Sequence, residues 1–150
     1  MPEIKIRPFH PDHQAAVKNL VLDGLVEHWG FLDETKNPDL EDIAAAYAGG
    51  TFLVAWVNGE IAGTGATLPR SETVVEVVRM SVSQKFRRQG IGVQILQELC
   101  KHAAKNGYKK VVLETTKTWQ GVIAFYQQYG FQFTHYDGDD AYFELDLLTN

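Results

Sequence analysis

The sequence predicts one α+β domain built around a mixed sheet. Its 150 residues, 45% hydrophobic and 22% charged, have the size and balance of a chain with a single packed core. Segments of period two and period 3.6 follow one another in the order β α α β β β α β α β β. Asn58-Gly59 between two apolar runs adds the clearest local signal, a hairpin. There is no internal repeat, low-complexity tract or linker to divide the chain.

Each element has a local reason. Ile4 and Ile6 alternate with Lys5 and Arg7 before Pro8, the pattern of a short edge strand with one buried face. Ala15, Ala16, Leu20, Val21, Gly24 and Leu25 fall at helical spacing, predicting a helix near 12–27 with Asp12 as N-cap and Asp23-Gly24 as an early weakening. Leu40, Ile43, Ala44 and Tyr47 predict a short second helix ending at Gly49-Gly50. Thr51 to Val57 and Glu60 to Leu68 are the two arms of the hairpin, whose Asn-Gly supplies the positive φ angles of a type I′ turn. The Val-rich stretch from Glu72 to Ser83 reads as a central strand. A basic loop follows, then a helix to Asn106 with Ile91, Ile95, Leu96, Leu99 and Ala103 on one face and Gly107 as its stop. Val111 to Leu113 is a buried strand and Gly121 to Tyr129 a helix stopped by Gly130. Phe131 to Tyr136 and Ala141 to Leu147 are strands that turn at Asp137-Gly138-Asp139-Asp140.

Fourteen Lys and Arg against nineteen Asp and Glu leave a net charge of −5. A nucleic-acid backbone is gripped by cationic side chains, so no nucleic-acid partner is expected, and any anion must be held by a local patch. The single Cys100 cannot form an intramolecular disulfide or a Cys-rich metal site, and cytoplasm is the expected compartment. Glu3, Lys5 and Arg7 stand where a signal peptide needs an apolar run, and no stretch reaches the roughly 20 apolar residues of a membrane span. His10 with His13, and the scattered His28, His102 and His135, match no metal-ligand spacing, so no metal is expected.

The most informative segment runs from Met80 to Gly92. Lys85, Arg87 and Arg88 cluster in an otherwise acidic chain, and Gly90 and Gly92 allow close backbone approach. The helix that follows turns its unpaired N–H groups and positive dipole end toward them. That combination predicts a pyrophosphate site. Loop chemistry alone also admits a solvated basic turn.

The spacing Arg87-x-x-Gly90-x-Gly92 after Met80-x-Val82 resembles the acetyl-CoA signature of the GCN5-related N-acetyltransferase (GNAT) superfamily. A second segment in the right order, Ile123-Ala124-Phe125-Tyr126-Gln127-Gln128-Tyr129-Gly130-Phe131, is similar to that family's Tyr-bearing helix closing on Gly-Phe. Arg79 to Ser83 and Val112 to Thr116 resemble its camello-like branch. The resemblance implies an N-acetyltransferase domain over 1–150, a mixed, mostly antiparallel sheet of about seven strands flanked by about four helices. It implies acetyl-CoA as cosubstrate, with the backbone near Met80 and Val82 pairing with the pantetheine arm. The Arg87, Arg88, Gln89, Gly90, Ile91 and Gly92 loop would hold the pyrophosphate, and Lys85, Arg87 or Arg88 would reach a ribose phosphate. Where the family often has Asn seven residues before the Tyr, this chain has Trp119, which suits stacking or walling rather than a pantetheine hydrogen bond.

Acetyl transfer to an amine needs a neutral amine, a polarised thioester carbonyl and a protonated leaving thiolate. The resemblance gives the acid to Tyr126, whose phenol is protonated at neutral pH; its other reading is a core aromatic. It gives carbonyl polarisation to a strand amide, that of Val82 or a neighbour. Glu76, six residues before Val82, stands where histone-type members carry the catalytic Glu. If the strand is regular, Glu76, Val78, Met80 and Val82 share a face, with apolar neighbours around the carboxylate; a bulge would alter that parity. A structural ion pair is the other reading of Glu76, and Glu114 or a water are the other bases. The acceptor, a small-molecule or peptide amine, would be lined by His28, Trp29, Phe31, Asp33, Glu34, Tyr47 and the Asp137 to Asp140 turn, acidic and aromatic groups suited to a cation. A non-catalytic acyl-CoA-binding domain is the competing class. The assembly is expected to be a monomer or homodimer without a membrane partner.

Overall fold

The structure, a computed structural model, describes residues 3–30 and 36–147, the side chain of His28 excepted. The strands are β1 (Ile4–Pro8), β2 (Thr51–Val57), β3 (Glu60–Pro69), β4 (Val74–Val82), β5 (Lys110–Thr116), β6 (Gln132–Asp137) and β7 (Asp140–Asp146). The helices are α1 (Gln14–Trp29), α2 (Ile43–Ala46), α3 (Ile91–Lys105) and α4 (Gln120–Tyr129). The seven strands run in the order β1-β2-β3-β4-β5-β7-β6, with β4 and β5 parallel and β1–β2, β2–β3, β5–β7 and β6–β7 antiparallel. The expected mixed, mostly antiparallel α+β class is what the chain forms. Among the described residues no helix is long and apolar enough to cross a membrane.

The chain gathers into two compact units, 1–68 with 78–99 and 69–77 with 100–150, and β4 and α3 each contribute to both. In the first, Val17 and Val21 of α1, Leu40, Ile43 of α2, Tyr47, Phe52, Val54 and Ala66 form a core against which Val78 packs. The Asn58-Gly59 turn has φ 51° and 80°, the left-handed pair the hairpin requires. Gly24 does not weaken α1, which continues to Trp29 and stops at Gly30 with φ 76°. A Cβ on Gly24 would stand 2.7 Å from Ser81 Oγ, so α1 passes close over the end of β4 and a larger residue here would displace the Ser81 hydroxyl. Nor is Asp12 the cap. It lies in a 3₁₀ turn, Pro11–His13, where the His10 imidazole accepts from the Asp12 amide at 3.1 Å. The short helix is capped by Asp42, whose Oδ1 accepts from Ala45 N at 3.1 Å.

In the second unit, Val75, Val111, Leu113, Thr115, Phe143 and Ala141 are buried, whereas their strand neighbours Glu76, Val112, Glu114 and Tyr142 are not. One face of β5–β7 is thus covered and the other partly exposed. Tyr126 and Phe131, with ring centroids 5.7 Å apart, are both buried.

Candidate active site

In the first unit the site is built on the second half of β4. Arg79 there has φ 56°, a left-handed conformation that side-chain-bearing residues rarely adopt. Its guanidinium holds both oxygens of Asp39, Nε to Oδ2 at 2.9 Å and Nη2 to Oδ1 at 2.7 Å, and its carbonyl accepts from the buried Thr64 hydroxyl at 2.8 Å. The Tyr47 hydroxyl also donates to Asp39 Oδ2, at 2.6 Å. Burial works against ionisation of Asp39, but the bonds from Arg79 and Tyr47 outweigh it and hold the carboxyl below its ordinary range. Burial and the Asp39 charge push the Tyr47 phenol upward.

Arg79 breaks the regular alternation assumed from the sequence. Val78 packs into the core of α1 and α2, yet two residues on the Met80 sulfur faces α3, where a Cβ on Gly65 would meet it at 2.6 Å and Ile95 Cγ2 at 2.5 Å. Val78 and Met80 therefore lie on opposite faces, and a left-handed residue between them is the physical cause. With its side chain consumed in packing, Met80 has only its backbone to offer a ligand.

Beyond β4 the chain makes a 3₁₀ turn, Gln84–Phe86, with Phe86 buried, and then the basic loop. Lys85 Nζ lies 2.9 and 2.8 Å from the two Glu60 oxygens. The Arg87 guanidinium is ion-paired to Glu27 of α1, with Nη2 to Oε2 at 2.6 Å, and its Nε donates to Val82 O at 3.3 Å. These two cations are thus already met by carboxylates, whereas Arg88 has no ion-pair partner among the described residues. Arg88 and Gly90 take φ 64° and 79°, and nothing lies within 4 Å of where a Cβ on Gly90 would stand. α3 starts at Ile91, so the amides of Ile91, Gly92 and Val93 lack an acceptor within the helix. A left-handed loop with open space at Gly90, leading into a helix N-terminus, fits a diphosphate. Beside it a cleft of about 410 Å³ is lined by Leu20, Asp23, Gly24 and Glu27 of α1 and by Ser81 to Gln84 with Arg87.

In the second unit, the Tyr126 ring packs edge-on against Phe125 and Phe131, and burial pushes its phenol upward. Tyr126 is thus packed as a core aromatic, with its phenol held in the protonated form. Glu76 is not surrounded by apolar groups: Arg70 Nε and Nη2 both contact its Oε1, at 2.6 and 2.5 Å. Glu114 pairs across the strands with Tyr142. Its hydrogen bond is the main cause that pushes the Tyr142 phenol up to about 12, while the Tyr142 ring stacks on His135 at 4.6 Å. Slight burial, then Glu114, Asp139 and Asp137, raises the Asp140 carboxyl. The same partly exposed face carries two cations, Arg70 on Glu76 and Lys110 3.2 Å from Glu144. Among the described residues, the carboxylates there not met by a cation are therefore Glu114 and those of the Asp137 to Asp140 turn. Trp119 is the N-cap residue of α4. Cys100 shares a hydrogen bond with Tyr129, and burial raises its thiol, which suits packing rather than nucleophilic attack.

Of the residues expected to line the acceptor, Tyr47 does not: it is buried and spent on Asp39. Trp29 is half exposed. Phe31, Asp33, Glu34 and the His28 side chain lie outside the described residues. Sequence reasoning missed Asp39, Glu27 and Arg70. The available signal was Arg79 itself, since an Arg in a Val-rich strand needs a partner, although nothing local says which.

A family model described as the acetyltransferase (GNAT) family matches residues 16–131. The chain belongs to this family. Both the Arg87 to Gly92 loop and the Tyr126 helix lie inside the matched span. N-acetyltransferase family 8 member 2 of Rattus norvegicus is 38% identical to this GNAT chain over 106 residues, 65% of the chain and 47% of that relative. The chain spans about half the length of the curated relatives it matches. A GNAT-family acetyltransferase from Staphylococcus aureus Mu50 has the same fold, with TM-score 0.88 at 20% identity over 97% of this chain and 100% of that one. PaiA N-acetyltransferase from Thermoplasma acidophilum, solved in complex with coenzyme A, has TM-score 0.85 at 18% identity over 96% and 99%.

Proposed function

We propose that residues 1–150 act as an acetyl-CoA-dependent N-acetyltransferase domain that moves an acetyl group to a primary amine by direct attack in a ternary complex. The observation that carries this reading is the loop before α3, left-handed at Arg88 and Gly90 and open at Gly90, in a chain matched by the GNAT family model.

Acetyl-CoA supplies the thioester whose acyl carbon the amine attacks. The amides of the Arg88 to Gly92 loop and the α3 dipole bind its diphosphate, with Arg88 as the cation left over for a phosphate. The backbone near Met80 and Val82 pairs with the amide-rich arm in the manner of an added strand, and an amide there polarises the carbonyl. Tyr126, whose phenol keeps its proton, donates to the leaving sulfur. Glu76 takes the proton from the amine. Arg70 occupies only Oε1, so Oε2 keeps its lone pairs for that task. The Arg70 contact also favours a second reading of the base, in which Glu114 or a water serves instead.

The acceptor is a small-molecule or peptide amine, drawn by Glu114 and the Asp137 to Asp140 turn. A monomer or homodimer in the cytoplasm, with neither nucleic acid nor membrane as partner, completes the reading. The test is thiol release from acetyl-CoA across a panel of amines, polyamines and peptides, with calorimetric binding measured alongside. Release with some amine is expected, and Gly90→Val should fold but lose acetyl-CoA affinity, because a branched residue is strained at φ 79° and fills the diphosphate's space. Binding without turnover on any amine would instead make this a non-catalytic acyl-CoA-binding domain. Unchanged affinity in Gly90→Val would move the diphosphate elsewhere.

A further inference from the structure

We infer that Asp39 and Tyr47 are positioning residues for acetyl-CoA, because together they hold Arg79 in the left-handed conformation that sets the register of Met80 to Val82. The inference rests on the acetyl-CoA reading above.

Arg79 differs from the other left-handed residues with side chains. Asn58 sits in a hairpin turn and Arg88 in the phosphate loop, where that conformation is expected. Arg79 is inside a strand. Such a residue persists only where its surroundings over-determine it, and here they do. Its guanidinium is held at two points by Asp39 and its carbonyl by Thr64. Asp39 is in turn held by Tyr47, which is buried and packed edge-on against Phe52 at 5.0 Å. The turn carrying Asp39 is fixed as well: Leu40 is fully buried, its carbonyl accepts from Gln14 Nε2 at 2.6 Å, and Gln14 Oε1 accepts from Ile43 N at 3.0 Å. Two-point pairing of this kind is the geometrically specific form of ion pair.

The consequence falls on the residues that follow. With Arg79 left-handed, Val78 faces α1 and α2, Met80 faces α3, and Ser81 comes under Gly24. If Arg79 relaxed to ordinary extended backbone, the alternation would run through unbroken and Met80 to Val82 would each turn to the other face. The amides proposed to meet the pantetheine arm would turn with them. A side-chain pair formed across 40 residues thereby fixes a backbone that makes no use of side chains.

The test uses glycine, which adopts positive φ without help. Acetyl-CoA affinity is measured by calorimetry for the wild type, Asp39→Ala, Tyr47→Phe and the double variant Asp39→Ala with Arg79→Gly. Asp39→Ala should weaken binding by roughly tenfold, the factor expected when a strained residue loses its support, and Tyr47→Phe should weaken it less. The double variant should recover most of that affinity while its melting temperature stays low. A purely stabilising ion pair would give no such rescue. Wild-type affinity in Asp39→Ala, or a double variant no better than the single one, overturns the inference. Should Asp39→Ala fail to fold, Asp39→Asn takes its place. Amide chemical shifts of Ser81 and Val82 in the ligand-free chain supply a readout independent of acetyl-CoA: they should move in Asp39→Ala and return in the double variant. A wild type that does not bind acetyl-CoA defeats the acetyltransferase reading alone, and unmoved shifts defeat this one alone.

Discussion

A phenol is protonated at neutral pH without help, and burial of Tyr126 beside Phe125 and Phe131 raises its pKa further, which keeps the proton in place but makes it a weaker acid. Tyr126→Phe is expected to leave acetyl-CoA affinity within a few fold and to lower turnover by roughly tenfold or more. Equal turnover would make the α4 tyrosine a packing residue. Glu76→Gln should behave differently: it should erase the acidic limb of the pH–rate profile and let activity recover at high pH, where the amine loses its proton unaided. A wild-type profile in Glu76→Gln would pass the role to Glu114 or a water. Both residues are proposed from the resemblance of their short segments to the family's, and the paired reading of Glu76 with a cation is the one its contacts match. Their surroundings were not legible in the sequence. Arg70 lies only six residues from Glu76, yet only the folded chain brings its guanidinium onto the carboxylate. Tyr47 read as a lining aromatic because nothing near it in sequence announces Asp39 as its partner.

Elements meet in this fold where a side chain is missing. Gly63 and Gly65 on β3 lie under α3, where a Cβ on Gly65 would be 2.5 Å from Ile95 Cγ2. Gly65→Ala is therefore expected to cost about 1–3 kcal/mol in a denaturant titration, the range of overpacked cores, whereas Gly121→Ala, with nothing within 4 Å, should not destabilise. Similar losses at both sites would mean that the close approach at Gly65 is not what decides. The connection from Asp39 to β4 makes a second prediction. Its folded-state carboxyl titrates below its ordinary 3.8, so the stability it contributes is complete above that value and fades as pH falls through the folded one. The gap in urea midpoint between wild type and Asp39→Asn should hold at neutral pH and close below about pH 4; a gap independent of pH would show that the charge on Asp39 contributes nothing. Turns and periodicities were legible at this scale because an Asn-Gly pair or a 3.6-residue repeat carries its own instructions. Gly24 was misread for the opposite reason, since its role is set by Ser81, far along the chain. Asp12 lost its expected role because Pro11 opens a 3₁₀ turn that His10 caps.

At the scale of the whole molecule, a chain of net charge −5 is proposed to bind a ligand carrying several phosphates, so long-range attraction works against it and local geometry must do the selecting. Lys85 and Arg87 are already paired with Glu60 and Glu27, which removes two cations from any general attraction and leaves the loop amides, the α3 dipole and Arg88. A site of that kind recognises shape more than charge. Acetyl-CoA offers both a diphosphate for the loop and an amide-rich arm for the end of β4, whereas ATP and NAD offer phosphates without the arm. A ligand that binds only the folded chain stabilises it by about 2.7 kcal/mol at a hundred times its Kd. For a domain of this size each kcal/mol raises the melting temperature by about 2–4 °C. Acetyl-CoA in that excess should therefore raise the melting temperature by roughly 5–10 °C, and ATP or NAD at the same concentration by much less. Equal shifts from acetyl-CoA and ATP would show that the loop alone binds and that β4 takes no part in selection. The absence of any shift with millimolar acetyl-CoA would remove the acetyl-CoA reading altogether.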